Sequence, residues 1–199
     1  KGIIMNTDSR DVKIEVKNLT KKYGDLLVLN DINFSIRKGE FLAIVGPTGC
    51  GKTTFLNCLS KLLPTTRGDI FIDGQVADPQ KHNISFVFQE PTCFPWRTVR
   101  ENVAYGMEIK RWPANKIAAK LDYILPLVGL ADTADLYPNQ VSASMVQRIA
   151  VARAFSVEPD LLMMDEPYGQ LDIKLRFYLE DELVKLWQQL GSTVLFVTH

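Results

Sequence analysis

An α/β fold is expected: a parallel-sheet core that opens on a glycine-rich loop, an antiparallel β layer ahead of it, and an inserted α-helical subdomain. Three patterns carry this expectation. Val12, Ile14 and Val16 alternate with Lys13, Glu15 and Lys17, the period of a strand with one wet face. Phe41-Leu-Ala-Ile-Val45 is instead apolar without alternation, as a strand covered on both faces is, and a glycine-rich turn then delivers the chain into a helix near Lys52. From Pro91 to about Pro159 the apolar residues recur at helical spacing, after which Leu161 to Met164 reads again as a short buried strand.

The remaining elements fill this frame. Leu26 to Leu29 and Ile32 to Ile36 are short β-type runs separated at Asp31, with breaks also at Gly24 and Gly39. Ile70 to Ile72 and Ile84 to Phe88 read as two further strands. The helical stretch divides into Val99 to Met107, Ala114 to Val128 and Ser144 to Val157, with a turn at Tyr137-Pro138 and with Met145, Ile149, Ala152 and Phe155 roughly on one face. A charged helix, Ile173 to Leu190, and a last strand, Thr193 to Thr198, complete the pattern, and Gly129 and Gly191 suit helix ends.

Composition bounds the function. With 199 residues, 46% of them hydrophobic, the chain can bury one substantial core and a smaller lobe. The expected organisation is a single domain, 1–199, with 12–90 and 158–199 as its core and 91–157 as the helical subdomain. The 23 Lys and Arg balance the 23 Asp and Glu, so no general field recruits nucleic acid, and any anion site must be local. Cys50, Cys58 and Cys93 lack the clustering of a zinc site and read as reduced thiols. The apolar runs fall far below the ~20 residues needed to cross a bilayer. Lys1 to Asp11 holds no apolar run suited to a secretory signal and reads as a polar, frayed leader.

Gly46-Pro47-Thr48-Gly49-Cys50-Gly51-Lys52-Thr53 satisfies GxxxxGK[ST] between a strand and a helix, the setting in which that pattern cradles nucleotide phosphates. Glycines let the backbone N–H groups approach phosphate oxygens, and the helix N-terminus adds partial positive charge. Lys52 is expected to neutralise the β- and γ-phosphates, Thr53 to ligate Mg²⁺, and Thr54 to continue the contact. Leu161-Leu-Met-Met-Asp165-Glu166 sets two acids at the end of an apolar strand, where parallel sheets carry ligands. Asp165 suits the outer coordination of Mg²⁺, and Glu166 suits orienting or deprotonating an attacking water.

Taken in order, these residues resemble the nucleotide-binding domain of ABC transporters across nearly the whole chain. The resemblance implies a P-loop NTPase (RecA-like) core that binds ATP and Mg²⁺ and drives a membrane permease. It assigns Gln89, after Phe86-Val-Phe88, to the Q-loop glutamine that contacts Mg²⁺ or the lytic water. Tyr23 becomes the aromatic residue stacked on adenine, Asp172 the D-loop acid facing the opposite subunit, and His199 the switch histidine near the γ-phosphate. Cys93 to Val103 resembles the coupling region of bacterial importers of the nitrate, sulfonate and taurine group, which places the protein on the cytoplasmic face of the inner membrane through its permease. Family members continue past the switch histidine with further strands and helices, which implies a longer protein and a sheet edge left exposed at His199.

The family signature, Leu-Ser-Gly-Gly, stands here as Val141-Ser142-Ala143-Ser144. In the family this segment of one subunit closes over the γ-phosphate held by the other, so Ser142 is expected to donate to the nucleotide across a homo- or heterodimer. Side chains at 143 and 144, if the backbone there needed positive φ, would cost about 1–2 kcal/mol each. ATP is then expected to bind while hydrolysis in a homodimer is impaired. A nucleotide-binding regulatory module that dimerises with little turnover is the alternative. A small P-loop phosphotransferase does not explain Asp165-Glu166 together with Gln89, and a DNA-repair ATPase would need sustained heptads that are absent.

Overall fold

Each hydrophobic pattern makes its own sheet. In the computed structural model, which describes residues 12–169 and 171–199, β1 (Val12–Tyr23), β2 (Leu26–Arg37), β4 (Arg67–Ile72) and β5 (Gln75–Val76) form an antiparallel sheet in the order β2-β1-β4-β5. β3 (Phe41–Val45), β6 (Ile84–Val87), β7 (Leu161–Asp165) and β8 (Thr193–Thr198) form a parallel sheet in the order β3-β8-β7-β6. The polar leader Lys1 to Asp11 lies outside the described residues.

The unbroken apolar run of β7 is explained by its two faces. Leu161 and Met163 join a core with Ile14, Ile36, Ile70 and Leu56, the last from α1 (Lys52–Leu59). Leu162 and Met164 join a second core with Val103, Ile124, Ile149 and Phe155 from the helical part. β8 divides likewise, Leu195 and Val197 facing the first core and Val194 and Phe196 the second. Period-2 side-chain alternation in two covered strands thus welds both cores to one sheet.

The helical part comprises α2 (Val99–Ile109), α3 (Ala114–Leu127) and α4 (Ala143–Ser156), all between β6 and β7. Thr98 and Glu101 close a capping box on α2, with Oγ1 accepting from Glu101 N–H at 3.2 Å and the Glu101 carboxylate from Thr98 N–H at 2.8 Å. Ile149, Ala152 and Phe155 are fully buried on the expected face of α4. α5 (Ile173–Leu190) runs from an Asp172 cap to Gly191, whose φ of 68° suits the left-handed stop.

Two expectations fail. Asp31 does not divide β2, which runs through twelve residues; Asp31 takes φ 52° and accepts from the Asn18 amide at 2.8 Å, so the polar interruption is a bulge inside a strand. β3 is only partly covered on its second face: Leu42 and Ile44 pack on the first core and Phe41 on the second, but Ala43 and Val45, on the same face as Phe41, are exposed, Val45 to 68%. Apolar continuity reports residue type, and it is the layer packed on each face that decides coverage.

Glu158, at φ 51° between α4 and β7, lies 3.0 Å from Lys120 and 3.9 Å from Lys116. The Lys120 contact holds its carboxyl below the ordinary glutamate value, against a smaller opposing effect of burial. A depressed folded pKa contributes stability above the unfolded value and loses it as pH falls through the folded one. Glu158→Gln is therefore expected to lower the melting stability at pH 7 by no more than about 1 kcal/mol, because the Glu158 carboxylate is half-exposed and screened by solvent, and to leave it unchanged near pH 2.

Candidate functional site

The glycine loop joins β3 to α1, and its conformation needs its glycines. Gly51 caps α1 at φ 99°, and a Cβ there would meet the Val28 carbonyl oxygen at 3.3 Å and Leu29 Cδ2 at 3.1 Å. No acidic residue occupies the first turn of α1 and no side chain caps it, so its N–H groups face outward with their partial positive charge uncompensated. The Lys52 ammonium is held by the carbonyls of Gly46 at 2.7 Å and Pro47 at 3.0 Å and lies 3.4 Å from Glu166 Oε1. One side chain thereby ties the loop to the end of β7.

Glu166 is where the parallel strands converge. Gln89, past the end of β6, donates to its Oε2 at 3.3 Å, and His199 Nε2, past the end of β8, lies 2.8 Å from the same oxygen. Its backbone sits at φ 45°, unusual for a side-chain-bearing residue, fixed by its N–H donating to Val197 O and its carbonyl accepting from Gly169 N–H, both at 3.0 Å. The neighbouring Asp165 is 4% exposed, and its Oδ1 has no hydrogen-bond partner. Burial raises its pKa above the usual carboxylate value, the Thr53 hydroxyl opposes that, the Glu166 charge adds to it, and Lys52 opposes it again. A buried, unpaired carboxylate oxygen beside Thr53 fits a divalent cation that takes its remaining ligands from phosphate and water. Among the described residues no group of three His, Cys, Asp or Glu is placed to hold a metal alone.

A single cleft of ≈ 460 Å³ gathers most of the candidates. Thr48, Gly49, Gly51, Lys52, Thr53 and Thr54 form its floor, and Tyr23, Gln89, Glu166 and His199 stand around it. Gly46, Pro47, Cys50 and Asp165 are not in its lining: the first two spend their carbonyls on Lys52, Cys50 is exposed, and Asp165 is buried at the end of β7. Sequence reasoning missed Leu26 and Val28, which line the cleft beside Tyr23. Their signal was the hairpin, for Tyr23 pairs directly with Leu26 across the β1–β2 turn.

Ser142 is not in the cleft. It caps α4 in an extended conformation, φ −70° and ψ 160°, with Oγ accepting from Met145 N–H at 3.3 Å and lying 3.0 Å from Ser144 Oγ. Ala143 and Ser144 are the first two residues of the helix, and neither has positive φ. The anticipated backbone strain is therefore absent, because a helix start asks for right-handed φ that any residue adopts. Replacing both by Gly is expected to lower stability by about 1 kcal/mol through chain entropy and to leave ATP affinity of the isolated chain unchanged, as denaturation and equilibrium binding would read out.

The family described as ABC transporter matches residues 29–169. The chain is 41% identical over 189 residues to the spermidine/putrescine import ATP-binding protein PotA of Chromobacterium violaceum, an alignment covering 94% of this chain and 52% of that protein. It is 39% identical over 200 residues to an uncharacterized ABC transporter ATP-binding protein of Methanocaldococcus jannaschii, covering 98% of this chain and 75% of that one. The solved structure of cbiO1 from Clostridium perfringens, part of the ABC transporter complex cbiONQ, matches with a TM-score of 0.87 at 29% identity, covering 95% of this chain and 79% of that chain. The chain thus spans about half the length of the PotA relative. A glycine loop, paired acids, and the glutamine and histidine that meet on Glu166 are arranged on a fold shared with cbiO1, and the chain belongs to the ABC transporter family as an ATP-binding domain.

Proposed function

We propose that the chain binds ATP with Mg²⁺ and hydrolyses it to energise import through a membrane permease. The observation that carries this reading is the meeting of Lys52, Gln89 and His199 on the Glu166 carboxylate, one loop away from the outward-facing N–H groups of α1. In this reading 12–90 and 158–199 form the ATP-binding core and 91–157 the signature-bearing subdomain. The loop from Gly46 to Thr54 wraps the phosphates, Lys52 leaves its carbonyl partners for them, and Tyr23 stacks on the base. Thr53, Asp165 and Gln89 would hold the cation, which would supply charge neutralisation at the phosphates. Glu166 takes the proton of the attacking water, Gln89 orients that water, and His199 steadies the transferred phosphoryl group.

Ser142 supports a two-subunit site. It stands on α4, outside the cleft of its own chain, with its hydroxyl exposed at a helix start. A second nucleotide-binding subunit, packed head to tail, would bring that hydroxyl to the phosphates, with Asp172 at the seam. No described helix is long and apolar enough to cross a membrane. In this reading the chain is held at the cytoplasmic face of the inner membrane by its permease. Within the Cys93 to Val103 segment, Trp96 is 72% exposed while Phe94 packs on Tyr105 at 4.5 Å. Trp96 is the permease contact in this reading, and Phe94 is the packing residue that supports it.

The nitrate, sulfonate and taurine likeness of that segment points to one permease class, and the likeness to PotA over 94% of the chain points to polyamine permeases. Copurification with permeases of the two classes separates them. The central test is a paired measurement on the purified chain, Mg²⁺-ATP affinity and steady-state phosphate release. Affinity in the micromolar to millimolar range with Mg²⁺-dependent release is expected, and no nucleotide binding at millimolar ATP would sink the reading.

A further inference from the structure

We infer that Lys21 is a positioning residue for base recognition: it backs the Tyr23 ring from behind and so turns it into a one-sided stacking platform, an inference that rests on Tyr23 contacting the base. Lys21 and Tyr23 lie two residues apart on β1 and so share a face of the strand. The Lys21 side chain is only 8% exposed, yet among the described residues no carboxylate pairs with its ammonium. Its neighbours are the Pro64 carbonyl, to which it donates at 2.7 Å, and the Tyr23 ring, whose centroid is 4.9 Å away.

A buried ammonium without a counter-ion is costly unless its donors are met, so the ring face is part of what satisfies it. The same contact works in reverse on the tyrosine. Tyr23 is 46% exposed at the end of a hairpin, with two torsions free to move, and a cation fixed to Pro64 on one side restrains the plane of the ring. Tyr23 lines the cleft and Lys21 does not. The cation-free face is therefore the one presented to a base, beside Leu26 and Val28. Those two apolar neighbours add no hydrogen-bonding groups of their own, so stacking on the restrained ring is the main interaction available at this end of the cleft.

Lys21→Met removes the charge and keeps an apolar stem, and Lys21→Gln keeps a donor for Pro64 without the charge. Both are expected to weaken ATP binding about threefold to tenfold, the size of a cation–π contact at a partly exposed site. Inorganic tripolyphosphate, which has no base, should bind both variants within about twofold of wild type. In a Tyr23→Ala background, the Lys21 change should cause no further loss of ATP affinity, because the two residues act through one contact. Equal weakening of ATP and tripolyphosphate, or additive losses in the double variant, would assign Lys21 a purely structural role and overturn the inference. A Tyr23→Ala variant with wild-type ATP affinity would instead overturn the reading of Tyr23 as the base contact and the inference with it. Loss on Tyr23→Ala but none on either Lys21 variant would overturn the inference alone.

Discussion

Glu166→Gln is expected to lower steady-state phosphate release by about 10²- to 10⁴-fold, the usual contribution of a positioned general base, while leaving ATP bound. The change is nearly isosteric and removes only charge and basicity. In the folded chain the Glu166 carboxylate is 9% exposed and already surrounded by Lys52 at 3.4 Å, Gln89 at 3.3 Å and His199 at 2.8 Å. With its oxygen accepting from Lys52, the amide can donate its NH2 to Gln89 once that side chain flips to present Oε1, and to His199 Nε2 when that nitrogen is unprotonated, so the backbone turn at φ 45° has no reason to move. It cannot accept a proton from water. It also releases Lys52 from an opposing charge, so ATP affinity should be equal to or tighter than that of the wild type. Turnover within tenfold of wild type would show that another group takes the proton, and weakened ATP binding would show that the carboxylate organises the loop rather than the chemistry.

How far the site was legible depends on whether chemistry or geometry determines each residue. Thr48, Gly49, Gly51 to Thr54 and Glu166, which share the cleft, could be picked out from residue type and spacing alone. The short buried strands β7 and β8 and the helices α2 to α5 were equally readable, because period and capping residues are local properties. Most of the misreadings concern partners distant in sequence. Nothing in Phe41 to Val45 says that one face of β3 is left partly open at Ala43 and Val45, and nothing in Asp31 says that Asn18 will accommodate it in a bulge. Leu26 and Val28 read as core residues by type, yet the β1–β2 turn carries them to the cleft. Ala143 and Ser144 looked costly by comparison with a glycine pattern. They are helical because Ser142, not they, makes the turn into α4.

Gly68→Ala is expected to destabilise the fold by about 2–5 kcal/mol, summing about 1–2 for left-handed backbone and about 1–3 for overpacking. Gly68 has φ 85°, and an added Cβ would stand 2.4 Å from Asn18 O, 2.5 Å from Asn18 C and 2.5 Å from Lys17 O. All three are backbone atoms of β1, and they cannot easily withdraw. Asn18 is itself at φ 52°, with its N–H donating to Asn33 Oδ1 and its side chain to Asp31 Oδ1, each at 2.8 Å. This pinned bulge also sets the phase of the strand. Before it, Ile14 and Val16 point into the core; after it, Leu19 and Lys21 do, so the inward positions change from even to odd. Lys21 reaches Pro64 and Tyr23 only in the second phase. The variant should therefore lose ATP affinity, even where it remains folded at low temperature, more than it loses tripolyphosphate affinity. Gly74→Ala is the matched control, with a similar φ of 74° but no atom within 4 Å of the added carbon, and its expected cost is about 1–2 kcal/mol of backbone strain alone. Equal unfolding midpoints for the two variants would mean that β1 and β4 can separate at the bulge without penalty, and the bulge would then not be what holds the platform in register.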